Sequence, residues 1–141
     1  MIDAETKIYD SIVRSLREKY SWASNIRFAN DYVQSPSSFP FVTIIERENR
    51  TDIQTMESSN TEVLGVLDYE VNVYTNSQAK RKQEARKIAS AVDAEFLALG
   101  FRRRTMEQVP NLANASVYRI LARYTVHIEE EDDEYILYRR P

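Results

Sequence analysis

Cysteine is absent from the 141-residue chain, which excludes disulfide bridges, thiolate metal sites and cysteine nucleophiles. Glycine occurs twice and proline four times, too few for linkers or low-complexity segments. Gly65 and Gly100 stand alone and far apart, so no glycine-rich phosphate cradle can form. No apolar run approaches the ~20 residues of a membrane-spanning helix. The N-terminus, MIDAETKIYDSIVRSL, carries acids from its third residue, unlike a secretory leader, and this points to the cytoplasm as the site of synthesis. Histidine occurs once, at His127. With no serine or cysteine nucleophile motif to accompany it, it reads as a surface or structural residue rather than a base. What is present is ordinary for a globular domain, with 43% hydrophobic and 29% charged residues. A chain of this length makes one domain able to bury roughly 68–70% of its unfolded surface.

The charge is unevenly spread. The run EEEDDE, comprising Glu129, Glu130, Glu131, Asp132, Asp133 and Glu134, holds six of the acids; without it the net charge moves from −3 to +3. It lacks the glycine turn and alternating ligands of a calcium loop, so it reads as a solvated segment or an acidic interface. Basic residues cluster in KRKQEARK (80–87) and in Arg102, Arg103 and Arg104. This dipole suits contact between subunits of opposite local charge at least as well as nucleic acid. A sequence pI near 5.3 is not that of a typical DNA-binding domain.

Periodicity outlines the elements. Asp3 is positioned to cap a first helix over 4–20, with Ile8, Ile12, Val13 and Leu16 at helical spacing. A short strand is expected over 26–33, then a Ser/Pro loop, then a strand over 41–47. The polar stretch 48–61 is the longest candidate loop, with Asp52, Ile53, Met56 and Glu57 marking a candidate assembly arm. Alternation of Leu67, Tyr69, Val71 and Val73 with Asp68, Glu70 and Asn72 predicts a long half-buried strand. Asn76 and Ser77 can cap a second helix over 78–99, which Gly100 ends. FRRRTMEQV reads as extended. From Tyr118 the even positions Tyr118, Ile120, Ala122, Tyr124, Val126 and Ile128 face a core, while Arg119 and Arg123 fall on the polar side. Residues 135–138 add a short edge segment or stay disordered. This order predicts a single α+β domain over 1–128, a mainly antiparallel mixed sheet with both helices on one face. The acidic C-terminal segment, 129–141, is set apart as one that can be flexible.

Three pieces carry a resemblance: LDYEVNVYTNS (67–77), KRKQEARKIASAVDAEFLALGF (80–101) and VPNLANASVYRILARYTV (109–126). Their strongest elements are Leu99-Gly100-Phe101, Pro110-Asn111-Leu112 and Tyr118-Arg119. The order is similar to that of the tail terminator (tail-completion, minor tail) proteins of long-tailed bacteriophages and prophages, over about residues 39–128. The resemblance implies a non-enzymatic structural protein without a cofactor. It would form a ring, usually a hexamer, on the tail tube, end tube growth and present a joining surface to the head-tail connector. Its partners would be itself, the tube protein and the connector or stopper protein, with DNA only as passing cargo and no membrane contact. Its place would be the virion neck, after assembly in the host cytoplasm. On this reading Arg102, Arg103, Arg104, Arg119 and Arg123 are candidate subunit or tube contacts.

Two other readings stay open on the residues. One is a head-side connector or stopper with the same ring geometry. The other is a small DNA-binding module using the basic helix start at 80–87, whose mark would be steep salt dependence. A hydrolase would need a pocket with a perturbed carboxylate, and no residue pattern selects one.

Overall fold

A computed structural model describes residues 2–51, 63–110, 114–131 and 134–139. The described residues form helix α1 (Glu5–Lys19), a 3-10 turn (Ser21–Asn25) and strands β1 (Arg27–Ala29), β2 (Phe41–Thr51) and β3 (Val63–Thr75). Helix α2 (Arg81–Ala98) and strands β4 (Arg102–Gln108), β5 (Tyr118–Glu131) and β6 (Glu134–Tyr138) complete them. The strands join in one sheet of order β1-β2-β3-β5-β4, with β6 also paired to β5. Among the described residues only the short β1–β2 contact is parallel; the other pairings are antiparallel. The fold is the expected α+β domain with a mixed sheet and two helices.

The period-two pattern of β3 decides which face the helices cover. Leu67, Tyr69, Val71 and Val73 point to α1 and α2 and are buried with Ile8, Ile12 and Leu16 of α1 and Ile88, Val92 and Phe96 of α2. The even positions of β5 join the same core, as their alternation predicts. At its centre Phe96 stacks on Tyr124 (4.4 Å between centroids, 12° between planes). Phe101 meets Phe96 and Tyr69 edge-on at 4.9 and 5.3 Å. Such pairs add about 0.5–1.5 kcal/mol each beyond the area they bury.

Helix α2 ends in a Schellman arrangement. Phe101 N–H donates to the Phe96 carbonyl at 3.1 Å and Gly100 N–H to that of Leu97 at 3.1 Å. Gly100 sits at φ 103°, and a Cβ there would lie 3.0 Å from the carbonyl oxygen of Leu137. Glycine is therefore required twice over, by backbone conformation and by the close passage of β6. Arg139 reinforces the same corner, donating to the Leu97 carbonyl at 3.1 Å.

Several boundaries differ from the sequence reading. Ala4, not Asp3, is the N-cap of α1, and no side chain caps it. Lys80 holds that position in α2, again without a side-chain cap; the Ser77 carbonyl accepts from Arg81 N–H instead. Strand β1 is only three residues long. Strand β2 continues past Arg47 to Thr51 because its polar residues pair with β3 rather than bury. Strand β5 runs on through Glu129 and Glu130 to Glu131, and β6 returns along it. Asp52, Ile53, Met56 and Glu57, with Asn111, Leu112, Asp132 and Asp133, lie outside the described residues.

Phe96→Ala removes the ring that Tyr69, Phe101 and Tyr124 contact and is expected to cost about 3–5 kcal/mol in urea unfolding. Gly100→Ala is expected to cost about 1–3 kcal/mol and to speed amide exchange selectively in β6. Unchanged exchange there would separate β6 from the helix corner.

Candidate functional site: an arginine groove between two bulges

The sheet face opposite the helices carries the charge. Along β3 it presents Asp68, Glu70, Asn72 and Tyr74, and along β5 Arg119, Leu121, Arg123 and Thr125, in register: Tyr74 opposite Arg119, Asn72 opposite Leu121, Glu70 opposite Arg123 and Asp68 opposite Thr125. The segment 30–40 folds over one end of this face, where Val33 and Phe39 pack on Phe41, Tyr74 and Val117. Among the described residues no helix lies over the rest, yet Ile45, Glu70, Asn72 and Leu121 are all buried.

Two β-bulges flank the same level of this face. In β2, Glu46 pairs with Tyr69 and Glu48 with Asp68, leaving Arg47 as the extra residue. In β4, Arg103 pairs with Tyr124 and Thr105 with Arg123, leaving Arg104. Tyr69 and Tyr124 are themselves partners across β3 and β5. Each bulge therefore inserts one arginine, one from each side of the central strand pair. A bulge re-aims a side chain at the cost of a ladder hydrogen bond. Here both aim into one open groove of about 450 Å³, lined by Arg47, Glu48, Asp68, Arg104, Thr105 and Arg123.

A buried carboxylate organises the groove floor. Glu70 is 5% exposed and its Oε1 lies 3.6 Å from Arg47 Nη1 and 3.5 Å from Arg123 Nη2. Its Oε2 accepts from Asn72 Nδ2 at 3.1 Å. A buried charge is tolerable only when paired in this way. Asn72 also donates to Thr43 Oγ1 at 3.2 Å, and its Oδ1 accepts from Arg119 Nε and Nη2 at 2.9 and 2.7 Å. Arg119 lies over the Tyr74 ring at 5.6 Å, and burial pushes the Tyr74 phenol above its ordinary pKa. On the rim, Arg50 donates to Asp68 Oδ2 at 3.1 Å. The other oxygen of Asp68, Oδ1, is buried without a hydrogen-bond partner.

The five arginines expected as contacts therefore do different work. Arg103 points to the helix side, where Nη1 donates to Asp93 Oδ2 at 3.1 Å. Arg119 is committed to Asn72 within its own chain. Arg123 is 48% exposed over Glu70. Among the described residues Arg102 and Arg104 are exposed and enter no ion pair. The groove brings together Arg104 and Arg123 with Arg47, Asp68 and Glu70, which sequence reasoning passed over. One signal was present: Asp68 and Glu70 on the polar side of β3 and Arg119 and Arg123 on the polar side of β5 are complementary charges, of which Glu70 and Arg123 come directly opposite once the strands pair.

The remaining candidates lie elsewhere. Glu129 and Glu130 are half-buried and Glu134 exposed, at the end of the β5–β6 hairpin. His127 is half-buried, its ring 5.6 Å from that of Tyr138. Lys87 of the basic helix start sits over the Trp22 ring at 4.8 Å. Among the described residues no group of three or more His, Asp or Glu side chains is placed to hold a metal ion, and no helix is long and apolar enough to cross a membrane. No protein-family model matches the chain, and no curated protein is significantly similar to it.

Beside the groove, on the helix side, Glu46 accepts a 3.3 Å hydrogen bond from the Tyr69 hydroxyl. Burial, followed by the charge of Glu5, raises its pKa above the ordinary 4.5, against the lowering effect of hydrogen bonds from Tyr69 and Asn49. The folded state thus holds this proton more tightly than the unfolded one. The stability it contributes is present below about pH 4.5 and lost as pH rises through the raised value. Glu46→Gln keeps an acceptor for Tyr69 and removes the buried charge. It is expected to melt higher than the parent at pH 7, with the gap closing as pH falls below 4.5. Parallel melting curves across that range would refute the role of burial.

Proposed function

We propose that the chain is a structural ring subunit of the tail terminator type, capping a phage tail tube and offering its far side to the head connector. The structural observation that carries the reading is the open sheet face. Among the described residues the frame of sheet and helices leaves one face without a helix, and two bulges furnish it with a groove of arginines and acids over the buried Glu70. That arrangement suits protein contact, and among the described residues the groove lining includes no serine, cysteine or histidine.

Two motifs of the resemblance lie within the described residues, while Asn111 and Leu112 lie outside them. Leu99-Gly100-Phe101 is the corner from α2 into β4. Tyr118-Arg119 opens the strand on which the face is built, with Tyr118 buried and Arg119 fixed by Asn72. A head-to-tail ring requires two different patches on each copy. The mixed-charge groove and the acidic edge carrying Glu129, Glu130 and Glu134 are two different patches. A head-side stopper shares this geometry, and the choice between them depends on which tube or portal the ring meets.

The test is to mix the purified chain with its cognate tail tubes and image them by negative stain. Rings of about six copies on tube ends, with tube growth halted, are expected. Arg104→Ala with Arg123→Ala is expected to lower the fraction of capped ends several-fold without unfolding the chain, since both side chains are exposed. Bare tube ends, together with duplex DNA binding that falls steeply with salt, would replace the ring reading with the nucleic-acid module at 80–87. Removing 129–141 is a poorer probe, because it also strips β6 from Gly100 and the core residues around it.

A further inference from the structure

The cleft between α1 and β6, about 390 Å³, sets Lys7 and Glu134 in an otherwise mainly apolar wall, and nothing there selects an occupant. The arginine groove is balanced too, its acids Glu48, Asp68 and Glu70 matching Arg47, Arg104 and Arg123. A third cleft, at the other end of the open face, is not balanced. It measures about 560 Å³, and Tyr32, Val33, Thr43, Asn72, Pro110 and Arg119 line it. Among the described residues its wall includes one cation and no acid.

That cation is held by a neutral group. Arg119 enters no salt bridge among the described residues; its Nε and Nη2 both donate to Asn72 Oδ1, at 2.9 and 2.7 Å. Asn72 is buried and is itself fixed, donating through Nδ2 to Thr43 Oγ1 and Glu70 Oε2. Glu70 thus lies beyond the amide, where Arg47 and Arg123 share its charge. Asp31, next to Tyr32 in the chain, is exposed and accepts from the Tyr32 N–H at 2.7 Å. A guanidinium has five N–H donors. Engaging Asn72 through Nε and Nη2 occupies one edge and leaves the Nη1–Nη2 edge, the parallel pair that matches a carboxylate. Arg119 is partly exposed and lines the cleft, so an incoming carboxylate can reach it. Beside it Tyr32 is 63% exposed, and Val33 and Pro110 add apolar surface.

One fixed cation on an apolar rim selects a singly charged ligand with an apolar body. A phosphomonoester brings a charge of about −1.5 to −2, and nucleic acid is held by several basic contacts along its backbone. This cleft supplies one. We propose that it docks a partner polypeptide, which seats an acidic side chain on Arg119 and a neighbouring apolar side chain against Tyr32, Val33 and Pro110. Asn72 is the positioning residue, holding the guanidinium in place before the partner arrives. The inference goes beyond the ring reading and does not depend on it.

The test titrates the full chain with the capped dipeptide acetyl-Phe-Glu-amide, followed by amide and side-chain NMR shifts. Signals of Tyr32, Thr43, Asn72 and Arg119 are expected to move together, with a Kd of roughly 1–10 mM. Acetyl-Phe-Gln-amide is expected to bind about tenfold more weakly. Arg119→Gln is expected to bind both peptides equally weakly, because the two changes remove the same contact and do not add. If that variant fails to fold, the two peptides on the parent still decide. Tyr32→Ala, at an exposed position, is expected to weaken both peptides several-fold. Equal binding of the two peptides by the parent, shifts confined to other surfaces, or no shifts up to about 20 mM would each overturn the dock. Inorganic phosphate that moves the same signals at lower concentration than the peptide would replace it with a phosphate site. Tube capping separates this claim from the ring: a parent that caps tubes but ignores the peptide keeps the ring and loses the dock. The opposite pair of results keeps the dock and loses the ring.

Discussion

Asp93 accepts from two directions at once, and much of the molecule is arranged around that fact. Its Oδ1 takes the Tyr124 hydroxyl at 2.7 Å and its Oδ2 takes Arg103 Nη1 at 3.1 Å. A single carboxylate on α2 thus holds both β5 and the edge strand β4 at a set height. The Tyr124 ring completes the clamp by stacking on Phe96, one helical turn along α2. Burial and the Asp93 hydrogen bond both push the Tyr124 phenol far above its ordinary pKa, so it stays a donor across physiological pH. Charge and aromatic packing therefore act on the same residue pair. A second helix carboxylate, Glu95, is held on the other side by Lys19 of α1 at 2.7 Å, tying the two helices together.

The clamp explains how a strand with three consecutive arginines stays in the sheet. Arg103 is satisfied beneath, by Asp93. The bulge then turns Arg104 and Thr105 to the open face, away from the helices. Without the inward anchor, an edge strand of such charge would have little reason to keep its register. Across the sheet, the β2 bulge performs the same operation on Arg47, with Glu46 anchored inward by Tyr69. Tyr69, which donates to Glu46, and Tyr124, which shares Asp93 with Arg103, are cross-strand partners. The open groove is in this sense the outer side of an inner tyrosine pair.

Much of this was legible in the residues and some was not. The burial pattern of β3 and β5 follows from alternation, and the end of α2 from Gly100, because both depend on local spacing. The bulges were not legible. They are relations between strands, and nothing within ERENR or RRRTM marks which residue will go unpaired. The reach of β2 was underestimated because Glu48–Thr51 contains no apolar residue, although pairing with β3 needs only backbone groups. Arg119 was expected to meet a neighbour or solvent, since its position in the alternation says only that it leaves the core. Asn72, nearly 50 residues away in sequence, takes up its guanidinium. Asp93 and Glu95 look like solvent-facing helix charges, and only the placement of Arg103, Tyr124 and Lys19 makes them interior.

The passage of β6 against Gly100 has a further consequence. Strands β4 and β6 occupy successive lengths of the same side of β5, one carrying the arginines and the other beginning at Glu134. Both are locked to the end of α2, β4 through the Schellman corner and β6 through the Gly100 and Arg139 contacts. The groove side of β4 and the edge of β6 are therefore both fixed to the end of α2. For any string of copies joined through those regions, the turn from each copy to the next is a constant of the core. Closure into a circle, rather than growth into an open helix, would then be decided by side chains that no neighbouring copy ever touches.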